Sequence, residues 1–86
     1  MDPDNTNDPH VLGQAMRALR DRAGITQKAL AERAGTSEAY VSNIEGGRRD
    51  ARWSTLARLL RALGTDLHRL ADAITEVEKQ GAPPKR

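Results

Sequence analysis

Apolar residues recur at three- and four-residue spacing through most of the chain, and glycines interrupt them often enough to keep every predicted helix short. Leu12, Ala15, Met16 and Leu19 share one face of a helix predicted from about Pro9 to Arg22. Asp8 can cap it, Pro9 can open it, and Gly24 can end it. Thr26 is a good N-cap for a second helix, Gln27 to Ala34, with Leu30, Ala31 and Ala34 inward and Gly35 as its stop. Ser37 can cap a third, ending near Ile44 before Gly46 and Gly47, with Val41 and Ile44 buried and Glu38, Ala39, Ser42 and Asn43 outward. A fourth helix is predicted from about Arg52 to Leu63 on Leu56, Leu59, Leu60 and Leu63, with Gly64 behind it. A fifth begins near Asp66. Its apolar positions Leu67, Leu70, Ile74 and Val77 form a seam that can pack on the domain or on a second copy of the chain.

The second and third helices are separated by about three residues with a glycine at the corner. That arrangement is a helix-turn-helix, which holds its second helix proud of the surface. Residues 1–8 mix Asp, Asn, Thr and Pro without periodicity and read as a flexible arm. Residues 79–86, with GAPPKR, read as a flexible tail. Between them, 9–78 is one domain, because 86 residues cannot divide into two independent cores.

Composition narrows the picture further. With no Phe, one Trp and one Tyr, the core must be aliphatic, as in small helical bundles. The absence of Cys removes disulfides, thiolate metal sites and cysteine nucleophiles, and fits a reducing compartment. No apolar run approaches the roughly 18 residues of a membrane span, and MDPDNTNDPH is acidic where a signal peptide would be basic and then apolar. The expectation is a soluble cytoplasmic protein. The net charge of +2 argues little by itself, but its placement is uneven. Asp2, Asp4 and Asp8 precede the domain, whereas residues 10–71 carry eleven Lys or Arg against six Asp or Glu. The predicted folded part is therefore the basic part, the electrostatic footprint of a nucleic-acid partner.

The stretch LGQAMRALRDRAGITQKALAERAGTSEAYVSNIEGGRR, followed by LxxLLRALG, resembles the phage-repressor and Cro-type helix-turn-helix family, often called the Xre family. The likeness covers about residues 11–71. It implies an all-α, five-helix lambda-repressor-like DNA-binding domain, and a function as a transcription regulator with no cofactor. In that family a Gln at the start of the second helix hydrogen-bonds a phosphate and braces the recognition helix, a role that falls here on Gln27. Thr26 beside it has a physical reason to join, since helix N-termini favour anions. The family's base-reading positions fall on Ser37, Glu38, Ala39, Ser42 and Asn43, within a recognition helix of about 37–44. The Asn43 amide can pair bidentately with adenine N6 and N7, Glu38 can accept from cytosine N4, and Ala39 can touch a thymine methyl. The plain readings stand beside these: an acid favoured by the helix dipole at Glu38, and helix propensity alone at Ala39. Arg48, Arg49 and Arg52 fall where family members place phosphate-binding groups, although Asp50 interrupts the patch. Tyr40 either donates its hydroxyl to a phosphate or covers the junction of helices 2 and 3. Related repressors pair an Arg of helix 1 with the Glu ending helix 3, which implies a structural ion pair between Arg20 and Glu45.

The chain departs from the family at the start of helix 4, where Asp50, Ala51, Arg52 and Trp53 replace an Asn-Pro-Ser-Leu-like sequence. Asp50 is the candidate cap there, and Trp53 is expected to pack over helix 3 or, as the alternative, to offer its indole N–H to a phosphate. An enzyme is not expected: His10 and His68 lie far apart and read as surface residues, the acids are too dispersed for a metal site, and no phosphate loop or nucleophile grouping appears. The competing function is a protein-binding module, an antitoxin or adaptor meeting a toxin or polymerase through the same fold. A polar outer face on helix 3 speaks for DNA instead. One reading helix covers a half-site, so a homodimer on a pseudo-palindromic operator is expected, with Leu67, Leu70, Ile74 and Val77 and the corner from Leu63 to Leu67 as its interface.

Overall fold

A computed structural model describes residues 9–80. Five helices follow one another: α1 (Pro9–Ala23), α2 (Gln27–Ala34), α3 (Glu38–Glu45), α4 (Trp53–Ala62) and α5 (Leu67–Lys79). There is no strand among the described residues. The arm expected over 1–8 lies outside them, as does 81–86 of the expected tail. Helix α5 runs one residue into that tail, to Lys79, and Gln80 caps it.

The local signals act where the spacing places them. The Thr26 hydroxyl accepts from the Ala29 N–H at 3.0 Å, Ser37 does the same for Tyr40 at 3.0 Å, and the Asp66 carboxylate accepts from Arg69 at 3.1 Å. Each satisfies one of the donors that a helix start leaves without an intrahelical partner. At the corner between α2 and α3, Gly35 takes φ 72°. This left-handed conformation lets the Thr36 N–H close on the Ala31 carbonyl at 2.9 Å, and a side chain there would be strained.

Helix α1 packs between α3 and α5, while α2 packs against α3 and α4. Met16, Leu30, Val41, Ile44 and Leu59 are the largest side chains removed from water, one from each of α1, α2 and α4 and two from α3. Gly13 in α1 faces the end of α3 so closely that a methyl group would overlap the Ile44 and Glu45 carbonyl oxygens, 2.7 Å from the latter. The missing side chain is what allows α1 to cross there, and the crossing fixes where α3 ends.

Three expectations are corrected here. The seam of α5 is mostly internal: Leu70 is 2% exposed and Ala73 is buried, while Ile74 and Val77 pack partly onto the same core. Leu70 is thus unavailable to a second copy, because α1 already covers this stripe. Leu67, 51% exposed, remains outside. At the start of α4, Asp50 is not the cap. The helical bonds begin with Leu56 N–H to the Arg52 carbonyl at 2.8 Å, so Arg52 holds the capping position two residues later. An arginine has no acceptor to offer, and no side chain caps this helix. Nor does Trp53 pack over α3. It lies one turn before buried Leu56, at an uncovered helix end, and is 63% exposed.

Candidate nucleic-acid interface

The outward half of α3 is polar and lightly used by the fold. Ser37, Glu38 and Ala39 are exposed in its first turn, and Ser42 and Asn43 follow half-buried one turn later. The Ser37 oxygen is engaged as an acceptor in capping but retains its hydroxyl proton as a donor. Val41 and Ile44 on the opposite side reach the core at 2% and 1% exposure. The division expected from periodicity is therefore the one observed.

A buried carboxylate holds the other end of α3. Arg20 meets Glu45 with two parallel bonds, Nε to Oε2 at 2.7 Å and Nη2 to Oε1 at 3.0 Å, while its Nη1 donates to the Ile25 carbonyl at 2.9 Å. Gln27 adds a third bond to the carboxylate, from Nε2 to Oε1 at 3.0 Å. The Glu45 side chain is 4% exposed and that of Arg20 12%. The hydrogen bond to Glu45 raises the Arg20 guanidinium above its ordinary value; burial opposes this, and the charges of Glu45 and Asp21 add to it. Planar, bidentate pairing suits a guanidinium on a desolvated carboxylate, and a lysine could not reproduce it. The structural ion pair implied by the family resemblance is present, and so is the brace from Gln27.

The Gln27 bond also brings the first turn of α2 beside the last turn of α3. The free N–H groups at the start of α2 and the polar Ser42 and Asn43 thus belong to one surface. The loop after α3 carries the charge. Gly47 takes φ 74° and lets the Arg48 N–H close on the Asn43 carbonyl at 2.9 Å. The Arg48 side chain then turns back, its Nε donating to Asn43 Oδ1 at 3.1 Å. Arg49 lies over the Tyr40 ring, its guanidinium carbon 5.0 Å from the centroid, while Tyr40 packs partly onto the core. Tyr40 therefore rests on the core and holds an arginine as well. Arg52 and Trp53 follow, both exposed.

Sequence reasoning missed three of these features, the Gly13 crossing, the Asn43 to Arg48 bond and the Arg49 stack, and it did not show that the brace from Gln27 is anchored on Glu45. Only Gly13 left a local signal, as a glycine inside an otherwise apolar-periodic helix. His10 and His68 are exposed, as expected, and the His10 ring lies against Gly47. Among the described residues no group of three His, Cys, Asp or Glu could hold a metal ion, and no helix is long and apolar enough to cross a membrane.

A protein-family model described as a helix-turn-helix domain matches residues 11–73. The chain belongs to the Cro and phage-repressor (Xre) family of helix-turn-helix proteins. Members of this family are DNA-binding regulators rather than enzymes. The chain is similar to the immunity repressor of Bacillus phage phi105, 32% identical over 72 residues, which are 84% of this chain and 50% of that protein. It thus spans about half the length of that relative. It is also similar to an uncharacterized HTH-type transcriptional regulator of Sinorhizobium fredii, 39% identical over 54 residues, 63% of this chain and 70% of that one. Among solved structures, the restriction-modification controller protein C.AhdI from Aeromonas hydrophila superposes with a TM-score of 0.71 at 32% identity, covering 73% of this chain and 96% of that one.

Proposed function

We propose that the chain regulates transcription as a homodimer on a pseudo-palindromic operator, each copy laying α3 in the major groove with half-site centres about 34 Å apart. The observation that carries this reading is the division of α3. One half is locked to the core through Val41, Ile44 and the Glu45 network, and the other presents Ser37, Glu38, Ala39, Ser42 and Asn43 on a braced support. In this reading those five side chains face base edges, and Thr26, Gln27, Tyr40, Arg48, Arg49 and Arg52 face phosphates. Gln27 has one amide hydrogen on Glu45 and a second to give, so bracing and phosphate contact are compatible. Trp53, exposed beside Arg52, can add its indole N–H to the backbone contacts.

The repressor and controller relatives support the same regulatory reading. A toxin or polymerase partner finds no support in the face itself, which has no large apolar anchor of the kind a protein interface centres on. For the dimer, exposed Leu67 borders a groove of 580 Å³ lined also by Val11, Leu12, Ala51 and Leu56. In this reading Leu67 and the partly covered Ile74, which also lines the groove, carry the contact, with Leu70 buried behind them.

Selection of genomic fragments with purified protein, followed by footprinting, tests the proposal. The expected product is an enriched sequence with two half-sites one helical turn apart. Recovery of fragments without a shared sequence, or of a single unrepeated half-site, would contradict it.

A further inference from the structure

The Asn43 to Arg48 bond is unlike the other contacts on this surface. Most of the rest cap a helix or tie α3 to the core, whereas this one joins the half-buried Asn43 to the exposed Arg48, side chain to side chain, on the outward face. Its geometry is set at three points. The main chain of residue 48 is anchored to that of residue 43 by the 2.9 Å bond that closes the helix. The side chain returns to Asn43 Oδ1 at 3.1 Å. Between them, the guanidinium lies flat over Gly46: a methyl group built there would stand 2.7 Å from Nη1, 2.9 Å from Cζ and 3.1 Å from Nη2. Gly46 has φ −83° and ψ 0°, a conformation open to any residue, so its backbone gives no reason for a glycine. What the glycine provides is room for the Arg48 guanidinium.

The chemistry settles which end of the amide meets the arginine. A guanidinium has donors only, so the atom facing it must be the carbonyl oxygen, and the Nδ2 group must point the other way. A free asparagine populates both amide orientations and several rotamers. This one is held in a single orientation, with a second lone pair on Oδ1 and both Nδ2 hydrogens still available. Bidentate reading of a base requires one donor and one acceptor on the same edge.

We infer that Arg48 is a positioning residue for base recognition: folded over Gly46, it holds the Asn43 amide in the orientation that reads one base pair of the half-site. This rests on the proposal that α3 lies in the major groove. Arg48 acts through Asn43 and so governs discrimination at one position, whereas an arginine that only neutralises a phosphate strengthens binding to every sequence alike. Holding a rotamer-rich side chain before contact spares the complex that ordering, which corresponds to roughly a three- to tenfold effect on the preferred base pair.

The test measures dissociation constants for the 86-residue chain against the selected operator and duplexes carrying each other base pair at each half-site position. Wild type is compared with Asn43→Ala, Arg48→Ala, Gly46→Ala and Arg49→Ala, and circular dichroism melts establish that each variant folds. Gly46→Ala leaves Asn43 and the charge of Arg48 in place and displaces only the guanidinium. Asn43→Ala should flatten the preference at one position. Arg48→Ala and Gly46→Ala should each weaken discrimination at that same position threefold to tenfold and leave the others as they were, while Arg49→Ala lowers affinity uniformly. Unaltered discrimination in Arg48→Ala and Gly46→Ala overturns the inference, as does a loss of discrimination spread evenly over all positions. If Asn43→Ala changes no position, the reading of α3 itself fails, an outcome distinct from failure of the Arg48 role alone.

Discussion

Arg20→Met is the substitution whose cost follows most directly from the structure. Methionine keeps much of the volume of the arginine stem but removes three hydrogen bonds, two to Glu45 and one to the Ile25 carbonyl. Glu45 is then left with Gln27 alone, on a side chain only 4% exposed. Removing one partner of a buried pair in this way costs about 3–5 kcal/mol. A domain of this size has a total stability on the order of 4–12 kcal/mol, so the variant should lose a large part of it. In urea unfolding followed by circular dichroism, the midpoint should fall with little change in slope, and the melting temperature should drop by on the order of 20 °C. The double variant Arg20→Met/Glu45→Leu removes both charges and should recover most of the loss, to within about 2 kcal/mol of the parent. A single-variant cost below about 1 kcal/mol, or strictly additive effects in the pair, would refute the account of Glu45 as a desolvated carboxylate held by Arg20. The raised guanidinium carries a definite sign. A cation held above its unfolded-state value contributes stability that persists until the pH climbs through the folded value. That point lies in strongly alkaline solution, so this arginine should add no slope to stability near neutral pH.

Gly13→Ala should destabilise by about 1–3 kcal/mol despite the better helix propensity of alanine, because the added methyl meets the carbonyls of Ile44 and Glu45 rather than a movable side chain; an unchanged or raised melting temperature would count against the close crossing of α1 and α3. Trp53 is the sole tryptophan and 63% exposed, so its emission should be that of a water-exposed indole and should change on titration with operator duplex. Emission that stays constant at saturating DNA would place the start of α4 away from the interface. Leu67→Lys should shift the dimer toward monomer in sedimentation equilibrium while leaving the far-ultraviolet helical signal intact, since the side chain lies outside the core; a dimer unaffected by this charge would move the interface elsewhere.

Much of this protein is decided locally. Spacing of three and four residues, hydroxyl caps at Thr26 and Ser37, and glycines behind each helix are sufficient to place α1 to α4 within a residue or two. They also separate the inward Val41 and Ile44 from the outward Ser42 and Asn43, because these signals act within a single turn of helix. The Arg20 to Glu45 pair was reached through likeness to a family, not through spacing, since 25 residues separate the partners. What the tertiary structure alone decided are choices between partners. An apolar stripe on α5 states that something covers Leu70 and Ala73, but not whether that is α1 or a second copy; packing gave it to α1 and left Leu67 outside. Trp53 is expected to pack over α3, yet it is left 63% exposed while Ala51 and Leu56 on either side of it meet the core. Nor does the order of residues show that Gly46 makes room for Arg48, that Arg48 turns back to Asn43, or that Gln27 braces Glu45. Hydrophobic pattern specifies which faces leave water, a property of each segment by itself. Which groups then meet depends on how the segments cross, and that is fixed only when the chain has packed.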